Sequence, residues 1–241
     1  SPGISSGNTD IYLIKIDQKG NLIWQKAHGN PAFPNHEWAY DIIQLPDEGF
    51  LAVGGRNRYS QGSKNGLVLR TDKEGKLLWE KEFLEEGQME ETIYSILNTN
   101  NGNYYICSTA NSLAEPGVYQ PKIAKMDMEG NIDWQRSFAA NGKSYHRFSA
   151  AETEKGDIVL VGSSGRQVAT GYDEDAFMVR IDDKGNIIWS YAYGTYDNDD
   201  WGWSVFETAQ NNLVFVGSTK SFGASLFDIY LVGTNAEGIS Q

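Results

Sequence analysis

Four tryptophans spaced 55 residues apart, four short strand-like runs in each period and no amphipathic helix predict an all-β chain, a β-propeller of four-stranded antiparallel blades. The tryptophans are Trp24, Trp79, Trp134 and Trp189, set in DQKGNLIW, DKEGKLLW, DMEGNIDW and DDKGNIIW. A blade cannot bury its faces alone, but it can against two neighbours. Repeat units of about 10–64, 65–119, 120–174 and 175–227, with a partial unit at 228–241, place the chain in a single propeller domain.

We name the strands of a blade A to D from innermost to outermost. Strand C precedes each motif: IYLIKID (11–17), GLVLRTD (66–72), PKIAKMD (121–127), AFMVRID (176–182) and a fifth copy, IYLVGTN (229–235). The acid and glycine that follow read as a tight turn. The Asp accepts backbone N–H bonds, and the Gly permits a positive φ. Strand D then reads NLIWQK, KLLWEK, NIDWQR or NIIWSY, with Leu or Ile at 22, 77, 132 and 187 and Trp two residues later. Residues two apart on a strand share a face, so each such pair enters one layer, with the Trp packed between blades. Strand A follows as WAYDIIQL, TIYSILNT, RFSAAET or GWSVFET. Strand B reads FLAVGG, YYICST, IVLVGSS or LVFVGST, nearly all apolar, as a strand covered on both faces does.

The chain opens with a C–D pair, continues through three A–B–C–D blades and ends with A, B and C. Two closures follow. Strand D at 21–26 lies beside the C-terminal strands so that both ends share the fourth blade of a ring, or the chain is a segment of a larger propeller. An extended β-solenoid is a further architecture for such a repeat, although its coils are usually shorter.

The net charge of −12 argues against a nucleic-acid partner, which needs clustered Lys and Arg. No run approaches the roughly 18 apolar residues of a membrane-spanning helix, so membrane insertion is not expected. Cys107 is the single cysteine, which excludes an internal disulfide, and it sits where other repeats carry valine. The opening at Ser1, without initiator Met or signal-peptide apolar region, is the form of a processed or excised segment.

The consensus D-x-Y-L-I-K-x-D-x-x-G-N-x-x-W, followed by A-x-x-I and G-x-x-x-V-G-x-T, resembles secreted β-propeller repeat proteins of bacteria and archaea, of the Bacteroidetes surface-protein type. Its D-x-x-G-x-x-x-W core is also similar to the tryptophan motif of quinoprotein-type propellers. The resemblance implies an extracellular, periplasmic or cell-surface location. It implies no particular activity, since such repeats serve binding and scaffolding alike.

The C–D and A–B turns are short and alike, whereas the B–C and D–A loops are long and dissimilar. Variable loops on a rigid scaffold mark the D–A/B–C face as the working one. Residues entering strand A point toward the mouth of the central channel: His36, Glu37 and Trp38; Glu90, Glu91 and Thr92; Tyr145, His146 and Arg147; Asp199, Asp200 and Trp201. A ring of four blades would set His36 across from His146, and Glu90 and Glu91 across from Asp199 and Asp200.

Three roles fit this acidic and aromatic set. One is a solvated polar rim. Another is recognition of a protein or glycan, with Trp38, Tyr145, Trp201 and Phe33 as stacking area and His36, Glu37, Glu90, His146 and Asp200 as orienting groups. The third is a carbohydrate-active enzyme using Glu37, Glu91 and Asp200 as paired carboxylates. Glycoside-cleaving propellers are expected to need more residues than this chain has, and no nucleophile elbow or triad is present. The non-catalytic binding module is therefore the expectation, with no cofactor. A Ca²⁺ ion at Glu90, Glu91, Asp199 or Asp200 is the only metal the composition suggests, because the histidines and lone cysteine lack zinc spacing. Lys15, Arg70, Lys125 and Arg180 also recur every 55 residues and read as cross-strand ion pairs rather than an anion site.

Overall fold

Each strand-like run of the sequence is a β-strand in the computed structural model, which describes residues 9–29, 36–58, 63–86, 88–112, 117–138, 145–168, 171–195, 198–222 and 226–240. The chain divides into two compact units, Ser1–Ile93 and Tyr94–Gln241.

In the first unit β1 (Ile11–Ile16) and β2 (Leu22–His28) form a two-stranded antiparallel sheet. β3 (His36–Gln44), β4 (Phe50–Arg58), β5 (Ser63–Thr71) and β6 (Leu77–Phe83) pair in chain order as a complete antiparallel blade. β7 (Gln88–Asn98) crosses the division between the units and heads a second blade with β8 (Tyr104–Ser112), β9 (Tyr119–Met126) and β10 (Ile132–Ser137). In the second unit β11 (Tyr145–Glu152), β12 (Ile158–Val168), β13 (Gly171–Ile181) and β14 (Ile187–Tyr193) make a third. β15 (Asp200–Glu207), β16 (Leu213–Thr219) and β17 (Asp228–Thr234) form a three-stranded sheet.

The acid–glycine motif is the hinge of each C–D pair. The carboxylate of Asp17 accepts the backbone N–H groups of Lys19 and Asn21, both at 2.8 Å, and the Asn21 side-chain amide. Asp182 does the same with Lys184 and Asn186. Gly20 and Gly185 hold φ at 83° and 80°, where a Cβ is disfavoured. Three bonds to the ionised form hold the carboxyls of Asp17 and Asp182 below the usual carboxylate range, the Asn21 and Asn186 contacts acting most.

The tryptophan of one repeat reaches forward to the turn of the next. Trp24 Nε1 donates to the Lys73 carbonyl at 3.1 Å, and Trp134 Nε1 to the Asp183 carbonyl at 3.2 Å. A methyl group on Gly75 would lie 2.8 Å from the Trp24 ring, one on Gly185 2.7 Å from Trp134, and one on Gly238 2.8 Å from Trp189. The motif is thus both a turn and the seat for the neighbouring tryptophan. The expected staple role holds.

Packing between blades follows one rule. Alternate residues of strand C face forward or backward along the repeat, as a pleated strand requires. Forward-facing Ile11 and Leu13 pack on backward-facing Leu67 and Leu69. Ile123 packs with Val179 and Ile181, and Ala176 and Met178 pack with Val232. Cys107 lies buried in the second of these clusters, as the valine-equivalent position predicted.

The basic repeat resolves as side-chain pairing. Arg70 meets Asp47, Arg180 Nη2 meets Asp157 at 2.8 Å, and Lys125 lies 3.8 Å from Asp133. Lys15 instead sits over the Phe50 ring.

Among the described residues the N-terminal strand D, β2, pairs with strand C, β1. The last blade begins its own outer strand: Asn235 accepts the N–H groups of Glu237 and Ile239, Gly238 turns at φ 78°, and Ser240 bridges back to Thr234. Residues 235–238 are a fifth copy of the turn with Asn for Asp, which is why the chain reverses there.

Candidate functional site

The heads of strands A are where the sequence concentrates its polar candidates. In the first unit His36, Glu37 and Trp38 open β3. His36 Nδ1 is 2.9 Å from Thr9 Oγ1, and the Glu37 backbone N–H donates to the Thr9 carbonyl. Glu37 and Arg56 are cross-strand partners at the β3–β4 end, both buried. The Arg56 Nε donates to Glu37 at 2.8 Å. Its Nη1 donates to Glu80 at 2.8 Å and to Glu82 at 2.7 Å, and Asn65 Nδ2 donates to Glu82 at 2.7 Å.

One guanidinium therefore serves three carboxylates. Burial raises the Glu37 carboxyl, and the Arg56 charge and hydrogen bond partly oppose that rise. Burial works against the Arg56 cation, but hydrogen bonds from Glu80 and Glu82 and the charges of Glu80 and Glu37 outweigh it and raise its pKa.

Trp38 is placed by a β-bulge between Ala39 and Asp41. Gly54 is required there, because a Cβ would strike the Trp38 carbonyl oxygen, and Gly55 lies against the Trp38 ring. Glu90, in β7, bonds Lys64 Nζ at 3.3 Å, and Glu91 beside it is buried.

The second unit repeats the construction with different chemistry. Asp200 opens β15 opposite Thr219, the position Arg56 holds opposite Glu37. Fully buried, its carboxylate accepts the hydroxyls of Thr219 and Ser221 and the Thr195 N–H at 3.3 Å. Gly194 leaves room for it: a Cβ there would meet both the Asp200 and Asp175 carboxylates. Asp175 therefore lies beside Asp200. Burial, then the charges of Asp200 and Asp175, push the Tyr230 phenol up to about 12.

Around this acid the surface is aromatic. Trp201 stacks on Phe227 with centroids 4.4 Å apart and planes at 30°, and Trp203 meets Trp201 edge-on at 6.2 Å. Lys220 Nζ lies 4.4 Å from the Phe227 centroid and bonds Asp199 at 2.6 Å. A bulge between Gly202 and Ser204, with Gly217 opposite, presents Trp201 as its counterpart presents Trp38.

The structure thus groups His36, Glu37 and Trp38 in one unit with Glu90 and Glu91, and Asp199, Asp200 and Trp201 in the other. The side chains of Tyr145, His146 and Arg147, and all of Phe33, lie outside the described residues. Among those described, no group of three or more His, Cys, Asp or Glu is arranged to hold a metal ion. Sequence reasoning missed Arg56, Thr219, Ser221, Lys220 and Phe227. The signal was available for two of them, because the last residues of strand B pair with the first of strand A. The others depend on B–C loop paths that no period describes.

Solved structures with a similar fold are carbohydrate-processing propellers. Endo-arabinase from Bacteroides thetaiotaomicron VPI-5482 aligns at TM-score 0.53 and 13% identity, over 96% of this chain and 95% of that one. An α-L-arabinanase of Penicillium chrysogenum, complexed with arabinobiose, aligns at TM-score 0.54 and 8% identity, over 88% and 69%. B. megaterium levansucrase (mutant D257A) aligns at TM-score 0.52 and 11% identity, over 95% and 71%. At these identities the likeness shows the β-propeller fold alone. No curated protein sequence matches the chain. The PQQ_2 family model, described as outer membrane protein assembly factor BamB, matches residues 10–221, and the chain belongs to that family.

Proposed function

We propose that this chain is a non-catalytic binding module that recognises a protein or glycan partner through its D–A/B–C loops. The observation that carries the proposal is the aromatic group of Trp201 and Phe227 with Lys220 and Asp199 at its edge. Stacked aromatic faces bordered by hydrogen-bonding charges suit sugar rings and peptide side chains alike. The family description, an assembly factor, supports partner binding, and with the resemblance to secreted repeats it supports a place in the periplasm or at the outer membrane.

The acids proposed for catalysis support the same reading. Glu37 is enclosed with Arg56, and Asp200 is saturated by two hydroxyls, so neither presents a carboxylate to solvent. The enzyme reading is favoured by a separate observation, the likeness of the fold to an endo-arabinase of matching extent. A glycan array run beside chromogenic glycosides separates the two. Binding without turnover, weakened at least tenfold (about 1.4 kcal/mol) in Trp201→Ala or Phe227→Ala, is the expected result. Turnover lost in Glu37→Gln or Asp200→Asn overturns it.

A further inference from the structure

Strand D is the outer edge of each sheet, and one of the four differs in composition. β2 carries Lys26, β6 carries Glu80, Lys81 and Glu82, and β10 carries Asp133 and Arg136. β14 reads IIWSYAY, and no charged residue stands between Lys184 and Asp197. Among the described residues β14 pairs with β13 alone, so its outer side presents backbone N–H and C=O groups with no strand to receive them. Ile188 and Tyr191 on this strand are 51% and 41% exposed. A charge is the usual guard against strand addition at an edge, and β14 is the outer strand that lacks one. The edge closes a complete four-stranded blade inside the second unit, far in sequence from both ends of the chain.

We propose that two copies of this chain join through β14, edge to edge and antiparallel, about a two-fold axis at Ser190. Such an axis stands perpendicular to the sheet, so it sets each residue opposite one on the same face. Ser190 is the middle of the seven residues, is exposed, and meets its own counterpart. Trp189 then lies opposite Tyr191 of the second copy, and Ile188 opposite Ala192. Trp189 and Tyr191 already lie 5.6 Å apart on one face, with planes at 38°, so the pairing extends an aromatic row across the seam.

Self-pairing opposes the residue on the axis to itself, which selects against charge there. The position of Ser190 is held by Gln25, Glu80 and Gln135 in the other repeats. β6 would therefore set Glu80 against Glu80, and β2 and β10 would enclose Lys26 and Arg136 beside the axis. β14 is the outer strand that a second copy of itself fits. Two such edges satisfy each other, so the assembly stops at two copies.

Sedimentation of the wild type should show a reversible monomer–dimer equilibrium with no larger species. Ser190→Lys opposes two ammonium groups at the axis and should leave only monomer over the same concentrations. Gln135→Lys, at the equivalent position of β10, should dimerise like the wild type. Circular dichroism checks folding, and Ile188→Lys takes the place of Ser190→Lys if that variant does not fold. Ser190→Cys tests the register: opposite residues of an antiparallel pair have Cα atoms about 4.5–5.5 Å apart, within the span of a disulfide. Oxidation should therefore cross-link this variant but not the wild type, whose Cys107 is buried. A wild type that stays monomeric at its highest soluble concentration overturns the proposal, whatever else binds the edge. So does a dimer that survives Ser190→Lys, one that Gln135→Lys abolishes, or a Ser190→Cys dimer that fails to cross-link.

Discussion

At Gly185 two separate constraints meet. Its φ of 80° disfavours any Cβ, and the Trp134 ring occupies the space that a Cβ would need. Gly156 shares the first constraint, at φ 82°, but has open space around it. Gly156→Ala should therefore lose about 1–2 kcal/mol from backbone strain alone. Gly185→Ala should lose that and a further packing penalty, and urea denaturation of the two variants isolates the tryptophan contribution.

Arg56 is the shared cation of three carboxylates. Arg56→Met leaves Glu37, Glu80 and Glu82 facing one another with no cation, a change expected to destabilise by about 3–5 kcal/mol at neutral pH. The deficit should shrink in acid, as protonation removes the repulsion.

The turn acids titrate in the opposite sense to Glu37. Asp182 has a folded pKa below its ordinary value of 3.8, so its stabilisation is present above that pH and lost as pH falls through the folded pKa. Asp182→Asn should narrow its gap from the wild type as pH drops below about 4 in chemical denaturation at stepped pH. The natural Asn235 already makes the two backbone bonds of this turn without charge.

For the strands, the period carried most of the information. Repetition made the sheets legible because each run had four versions, but the shared layer expected of Leu22 with Trp24 and of Ile187 with Trp189 did not form: Leu22 and Ile187 are each 56% exposed, because a bulge between Lys15 and Ile16, and its counterpart between Arg180 and Ile181, breaks the alternation there. The turn Asp and Gly were legible because only a few side chains satisfy a reversal of that kind. The partners of Glu37 and Asp200 were not, since Arg56 and Thr219 share a position while sharing no chemistry. The fifth copy of the turn was not legible for a similar reason. Asn235 replaces the Asp by which the motif was recognised, and the bonds it accepts are those any Asx side chain can accept. Trp134→Phe tests the element directly. It deletes the 3.2 Å bond to the Asp183 carbonyl and shrinks the ring seated on Gly185, and should cost more in equilibrium unfolding than the about 1 kcal/mol of the hydrogen bond alone.

For the molecule, the dominant long-range force is its own charge. A net charge of −12 repels itself within the folded chain. Raising salt shortens the screening length from about 10 Å at 0.1 M toward 3 Å at 1 M, so the folded state should gain stability with NaCl. Thermal unfolding across a salt series checks the sign.

The forward reach of each tryptophan also gives the fold a directional optical readout. Because Trp134 covers the turn of the following repeat, its emission reports the integrity of the β13–β14 reversal rather than of its own sheet. A protein left with that one indole, the other tryptophans replaced by phenylalanine, would signal parting of a single seam during unfolding. Moving the lone indole to position 24 or 189 would read out another seam, so the order in which the blades separate could be followed by fluorescence.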